Sequence, residues 1–152
     1  MNKKIILIVI NLLFLFASFK SFGKDINISS DHLKVDRSEG ISEFTGSVYS
    51  KDEELEIWSD KLFIFYNDEM NKIMRIEALG NVKLERNNLI ATGKKAEYFI
   101  NKDEAVISDN VVLIQGGNEI YCERLFIDLA ESTSIMESKN NKRVRAKIKK
   151  VN

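Results

Sequence analysis

The sequence predicts an all-β fold, a sandwich or roll made by stacking one small unit on the next. Three observations predict it. A motif returns four times, apolar and polar residues alternate along most of the chain, and turn-forming residues recur about every 8 to 15 residues.

The motif first runs from Ile28 to Val35 through Ser30, Asp31 and Leu33. It returns from Ile57 to Ile64 through Ser59, Asp60 and Leu62. It comes again from Ala91 to Tyr98 through Gly93, Lys94 and Ala96, and last from Ile120 to Ile127 through Cys122, Glu123 and Leu125. Its apolar centres, Leu33, Leu62, Ala96 and Leu125, are 29, 34 and 29 residues apart. Repeats at that period are units that cannot bury an apolar face alone and must stack.

At the start of the chain, Lys3 and Lys4 precede an apolar run of 15 residues, Ile5 to Phe19, broken only by Asn11 and Ser18. The run is shorter than the ~20 residues a membrane-spanning helix needs. With the small residues Ser21 and Gly23 behind it, the segment reads as a signal peptide, 1–23, cleaved after Gly23. No cysteine lies in or just after this segment, so a lipoprotein anchor is not expected. The remainder, 24–152, is long enough for one domain with its own core. Cys122, the only cysteine, can form no internal disulfide, so burial and backbone pairing must hold the domain together.

Strand patterns fill the body. Leu55-Glu56-Ile57-Trp58 and Val82-Lys83-Leu84-Glu85 alternate, as do Val111 and Leu113, so each run presents one apolar face. Gly46-Ser47-Val48, Gly80-Asn81-Val82 and Asp109-Asn110-Val111 form a second repeating element. Gly, Asn and Asp tolerate a left-handed backbone, and the expectation is a tight turn leading into a strand. Asn67-Asp68, Asn87-Asn88, Asn101-Lys102-Asp103 and Gly116-Gly117-Asn118 mark further turns. Ser132, Thr133 and Ser134 argue against a helix over 128–139. The chain has no proline, so its sheet edges lack one common barrier to further pairing.

The position held by Ser30, Ser59, Gly93 and Cys122 is always small, whatever its chemistry, which points to a packing constraint rather than reactivity. The neighbouring acid, Asp31, Asp60 or Glu123, marks a bend. His32 is the single histidine and has no second soft ligand beside it, so no metal site is expected. There is no glycine-rich phosphate loop and no Gly-x-Ser-x-Gly elbow, and the acids are scattered. An enzyme is not expected, and no cofactor is implied.

Charge is neutral overall but unevenly spread. Of the 23 Lys and Arg, three lie in 1–23 and seven in 139–152, so the segment between holds the other 13 against all 23 acids, a net of −10. An acidic body repels nucleic acid, and no nucleic-acid partner is expected. Within the basic strip, Arg143-Val144-Arg145-Ala146-Lys147-Ile148-Lys149 alternates strictly. A strand there would set Val144, Ala146 and Ile148 on one face and the cations on the other, with an open backbone edge for a partner.

The order of signal segment, Ile-x-Ser-Asp-x-Leu motif, Phe44-Thr45-Gly46-Ser47-Val48 and motif echo resembles the OstA-like family over residues 25–150. Departures are small: Ser47 stands where Asn is usual, Ser59 where Ala is usual, and Asp52-Glu53-Glu54 replaces a Gln-Gly turn. The resemblance implies an open, twisted β-jellyroll of two facing antiparallel sheets, expected here as about a dozen short strands. It implies a periplasmic, lipopolysaccharide-binding transport role in outer-membrane biogenesis. It also implies an LptC-like inner-membrane partner at the N-terminal edge, an LptD-like outer-membrane partner at the C-terminal edge, and head-to-tail self-association. The short apolar run favours a cleaved member over an LptC-like anchored one. A structural envelope protein with a fully packed sandwich remains the reading from another class. By register, the residues expected to face a lipid groove are Ile26, Ile28, Leu33, Val35, Phe44, Val48, Ile57, Leu62, Ile64, Val82, Leu84, Ala96, Tyr98, Ile100, Val111, Leu113, Leu125 and Ile127. The expected partner edge is Arg143, Val144, Arg145, Ala146, Lys147 and Ile148.

Overall fold

Hydrogen bonding follows the alternation read above. The computed structural model describes residues 25–150, so the expected signal segment lies outside the described residues. Among the described residues ten strands form one antiparallel sheet: β1 (Asn27–Ser29), β2 (His32–Asp36), β3 (Ile41–Lys51), β4 (Leu55–Tyr66), β5 (Ile73–Arg86), β6 (Leu89–Phe99), β7 (Glu104–Gln115), β8 (Asn118–Asp128), β9 (Thr133–Glu137) and β10 (Arg145–Lys147). Strands β3 to β8 pair in chain order. Both β1 and β2 pair with β3, and both β9 and β10 pair with β8. The expected all-β fold is present, and 133–137 is strand rather than helix.

The expectation of about a dozen short strands needs correction. The six central strands are 11 to 14 residues long. Segments that read as separate strands, such as 55–58 and 62–64, are two halves of one bent strand. The bend is a row of bulges. Pairing slips between Thr45 and Val48, Trp58 and Lys61, Leu79 and Val82, Thr92 and Lys95, and Ser108 and Val111. A bulge adds a residue to one strand and kinks it. Here the kinks stack into a single spine.

That the strands fold over is evident at their ends. Asp52, before β4, and Ile73, after the β4–β5 turn, line the same cavity. A straight strand of that length would hold them about 40 Å apart. Each long strand therefore has one half in a layer bounded by β2 and β9 and the other half in a layer bounded by β1 and β10. The layers meet at the spine and their turns face each other across an open mouth.

The Gly-x-Val element is also corrected by the structure. It is not a turn between strands but the extra residue inside β3, β5 and β7. Gly46 and Ser47, Gly80 and Asn81, and Asp109 and Asn110 are consecutive left-handed residues, with φ between 45° and 87°. The acid of the first motif packs against it. A Cβ on Gly46 would collide with the Asp31 carboxylate, and one on Gly80 with Asp60. Asn81 Nδ2 donates to Asp60 Oδ2 at 2.9 Å. The two repeating elements are the facing sides of one bend. The small-residue position has a similar cause at Gly93, where a Cβ would lie 2.7 Å from Ile107 Cγ2. Burial pushes the Cys122 thiol up, away from the reactive thiolate.

Side chains facing inward form one core, with Leu62, Ile107 and Leu125 fully buried. Outward side chains are stitched by charge. The Arg75 guanidinium lies 3.9 Å from the Phe65 ring centroid and donates to Glu97 at 2.8 Å. Lys83 sits 4.4 Å over Trp58.

Candidate functional site

The bend gives the molecule an interior that runs the full width of the sheet. In the β2–β9 layer, directly paired residues form the row Leu33, Phe44, Leu62, Ala78, Ala96, Ile107, Leu125 and Met136. In the β1–β10 layer the row is Ile28, Ser50, Ile57, Leu84, Ala91, Leu113, Ile120 and Ala146. Opposed residues of an antiparallel pair share a face, so two apolar rows reach from edge to edge with Ser50 the one break.

Both ends of these rows are uncovered. Leu33 and Val35 are 57% and 51% exposed on the N-terminal edge, while Val144 and Ile148 are 41% and 65% exposed at the C-terminal one. The strand expected over Arg143 to Lys149 is only Arg145–Lys147 in the structure; Ala146 lies opposite the inward Ile120 and so faces inward, with Val144 and Ile148 flanking the strand. Arg145 and Lys147 lie opposite the outward Tyr121 and Glu119.

Most residues expected to line a groove face this interior. Val48, Ile57, Leu62, Ile64, Val82, Leu84, Ala96, Val111, Leu113, Leu125 and Ile127 are buried in it, and Ile26, Ile28, Phe44, Tyr98 and Ile100 pack against it. The centre is filled by its own side chains, and Leu84 is only 3% exposed. Open space lies at the mouth instead. A cavity of about 530 Å³ is lined by Ile26, Ile73, Tyr98 and Ile100, with Asp52, Asn71, Lys72 and Asp103 at its rim. A second, of about 400 Å³, lies between the β5–β6 and β7–β8 ends and the β8–β9 turn, lined by Arg86, Leu89, Gln115, Ile127, Leu129 and Ser134. Sequence reasoning missed Asp52, Lys72, Ile73, Arg86, Leu89 and Leu129, because most of them sit in or next to turns, where alternation carries no information. Ile107 was legible, since it shares the parity of Val111 and Leu113 on β7.

Tyr98 anchors the first cavity. Its hydroxyl donates to Asp103 Oδ1 at 2.8 Å, and burial, then that bond, pushes its pKa well up. A raised tyrosine pKa stabilises the fold below the ordinary value of about 10 and loses that contribution as pH rises beyond it. Tyr98→Phe should therefore flatten the alkaline fall in melting temperature, measured from pH ~9 to ~12. An unchanged profile would show that another group governs it. Across the mouth, Arg86 Nε donates to Glu54 Oε2 at 3.0 Å and clamps the rim of the β1–β10 layer.

These features define a class: open antiparallel rolls whose apolar interior is continuous between two unpaired edges. The chain belongs to the family described as LptA/(LptD N-terminal domain) LPS transport protein, which matches residues 27–133. Among solved structures it is similar in fold to LptH of Pseudomonas aeruginosa, described as the LptA homologous periplasmic component of the lipopolysaccharide transport device. The TM-score is 0.75 at 16% identity, covering 84% of this chain and 96% of that one. No curated protein matches the sequence.

Proposed function

We propose that this protein is a periplasmic carrier that passes lipopolysaccharide along its interior, with an LptC-like protein docked at the β1/β2 edge and an LptD-like protein, or a second copy, at the β9/β10 edge. In this reading residues 24–152 act as one domain after export. The observation that carries it is the pair of apolar rows open at both edges. A self-contained domain gains nothing by leaving Leu33, Val35, Val144 and Ile148 in water at its two edges.

The filled centre fixes how a lipid would lie. Acyl chains would occupy the mouth cavities first, touching Tyr98, Ile100 and Ile73, and would reach Leu84 only if the layers part. Burial at ~0.8 kcal/mol per methylene makes partial insertion sufficient for affinity. The protein offers a path, and the work is done elsewhere. The same filled centre favours one competing reading, a structural envelope protein with no cargo.

A photo-crosslinker separates the two. At Tyr98 it should capture lipopolysaccharide, while at Glu97, which faces outward onto Arg75, it should not. Capture at neither position, together with no amphiphile uptake by delipidated protein, would favour the structural reading.

A further inference from the structure

A second cavity system lies on the other side of the sheet. On the outer surface, a cleft of about 390 Å³ opens between the spine ends of β7 and β8 and the segment leading into β10. Asn110, Val112, Tyr121, Glu123, Ser138, Lys142, Arg143 and Arg145 contribute to it, and none of these lines either mouth cavity. Val112, Tyr121 and Arg145 form one outward row, so the cleft opens on the outer face, and at its floor it meets Val111 and Cys122 of the core.

Its charge is unbalanced. Lys142 Nζ lies 2.6 Å from Glu123 Oε1, so those two cancel. The left-handed pair Asn140 and Asn141 turns the chain to bring Lys142 there. Arg143 and Arg145 have no carboxylate partner among the described residues. Arg145 is parked 5.5 Å from the Tyr121 ring centroid, a contact that leaves its N–H donors unspent. Arg143, just before β10, and Arg145, its first residue, line the same cleft, and 139–152 holds no acid to relieve their repulsion. Neutral groups able to donate, the Asn110 amide and the Ser138 hydroxyl, stand in the same cleft.

We propose that this cleft is a binding site for a phosphoryl anion. A guanidinium fork pairs bidentately with phosphate oxygens, two such groups suit the double negative charge of a phosphoryl group, and Arg holds its charge at every relevant pH. The volume exceeds that of a phosphate alone, so the site admits the group that carries it. Two sources present this chemistry: the headgroups of an anionic lipid surface and free phosphate. Ile114 and Tyr121 are exposed beside the cleft on the same outer face, an apolar contact that a lipid surface would use.

The test is titration of the full chain, labelled for NMR, with inorganic phosphate against chloride at matched ionic strength. In parallel, the chain is sedimented with phosphatidylcholine vesicles lacking or containing phosphatidylglycerol. The comparison is the Arg143→Gln/Arg145→Gln double variant, with Lys34→Gln/Arg37→Gln at the opposite edge as a control of equal charge loss. Saturable shifts at Asn110, Ser138 and Tyr121 with phosphate support the site with free phosphate as its source. Sedimentation with the anionic vesicles alone supports it with a headgroup as the source. In either case the arginine variant should bind about tenfold weaker or worse, and the control should not. Silence in both arms, or equal losses in variant and control, would overturn the proposal.

Discussion

Gly80→Ala is expected to destabilise the domain by about 3 kcal/mol, a large fraction of the ~5–15 kcal/mol margin of a folded domain. Two effects add. Gly80 has φ of 76°, where an L side chain is strained, and its new Cβ would run into the Asp60 carboxylate across the spine. The second effect can be removed separately. Asp60→Ala in the same chain should recover roughly half of the loss in urea unfolding, because only the backbone term is left. If the double variant is no more stable than Gly80→Ala alone, the acid does not pack under the glycine and the two motifs are not two sides of one bend. Gly116, whose Cβ would meet nothing within 4 Å, provides the contrast. Its φ of 58° is also positive, so Gly116→Ala measures the backbone term without a collision.

Truncation after Asn141 should abolish head-to-tail assembly and leave a folded monomer that still takes up amphiphile. The strand removed is short and exposed, with pairing only to β8, so the core loses little. What is lost is the apolar extension of Val144, Ala146 and Ile148 and the free backbone edge beside them. Main-chain pairing is the source of affinity when a strand adds to a sheet edge. Light scattering at a concentration where the intact chain oligomerises reads this directly. Oligomers of unchanged size in the truncated chain would remove the C-terminal edge from the proposed interface. Charge reversal at Arg143, Arg145 and Lys147 should give a weaker result of a different kind. Arg145 and Lys147 point outward, away from the inner face. Reversal should slow assembly at low salt and have little effect at high salt, where a Debye length of ~3 Å screens the acidic body of the next copy.

Much of the fold was legible because a strand writes its faces at period two. The repeat placed Leu33, Leu62, Ala96 and Leu125 in a single cross-strand row. Alternation alone would have failed at the spine. On β4, Ile57 and Ser59 point inward, and so do Leu62 and Ile64, because Asp60 and Lys61 both lie outside at the bend. Extending the odd parity of Ile57 through the strand would have turned Leu62 into solvent. The repeat register avoided that error, since it compares like positions across copies.

By itself the sequence determined the all-β class, the alternation within runs such as 55–58 and 82–85, and the left-handed character of Gly80-Asn81 and Asp109-Asn110. These are encoded locally, in residue type and spacing. The tertiary structure decided that Gly80-Asn81 bends a strand rather than ending it. A left-handed pair serves a turn and a bulge equally well, and only pairing on both sides distinguishes them. It also decided that the centre is filled while the mouth is open, and that Arg143 and Arg145 meet Asn110 and Ser138 in one cleft. Layer separation and the meeting of remote segments are set by the sum of many long-range contacts, and no window of neighbouring residues contains that sum.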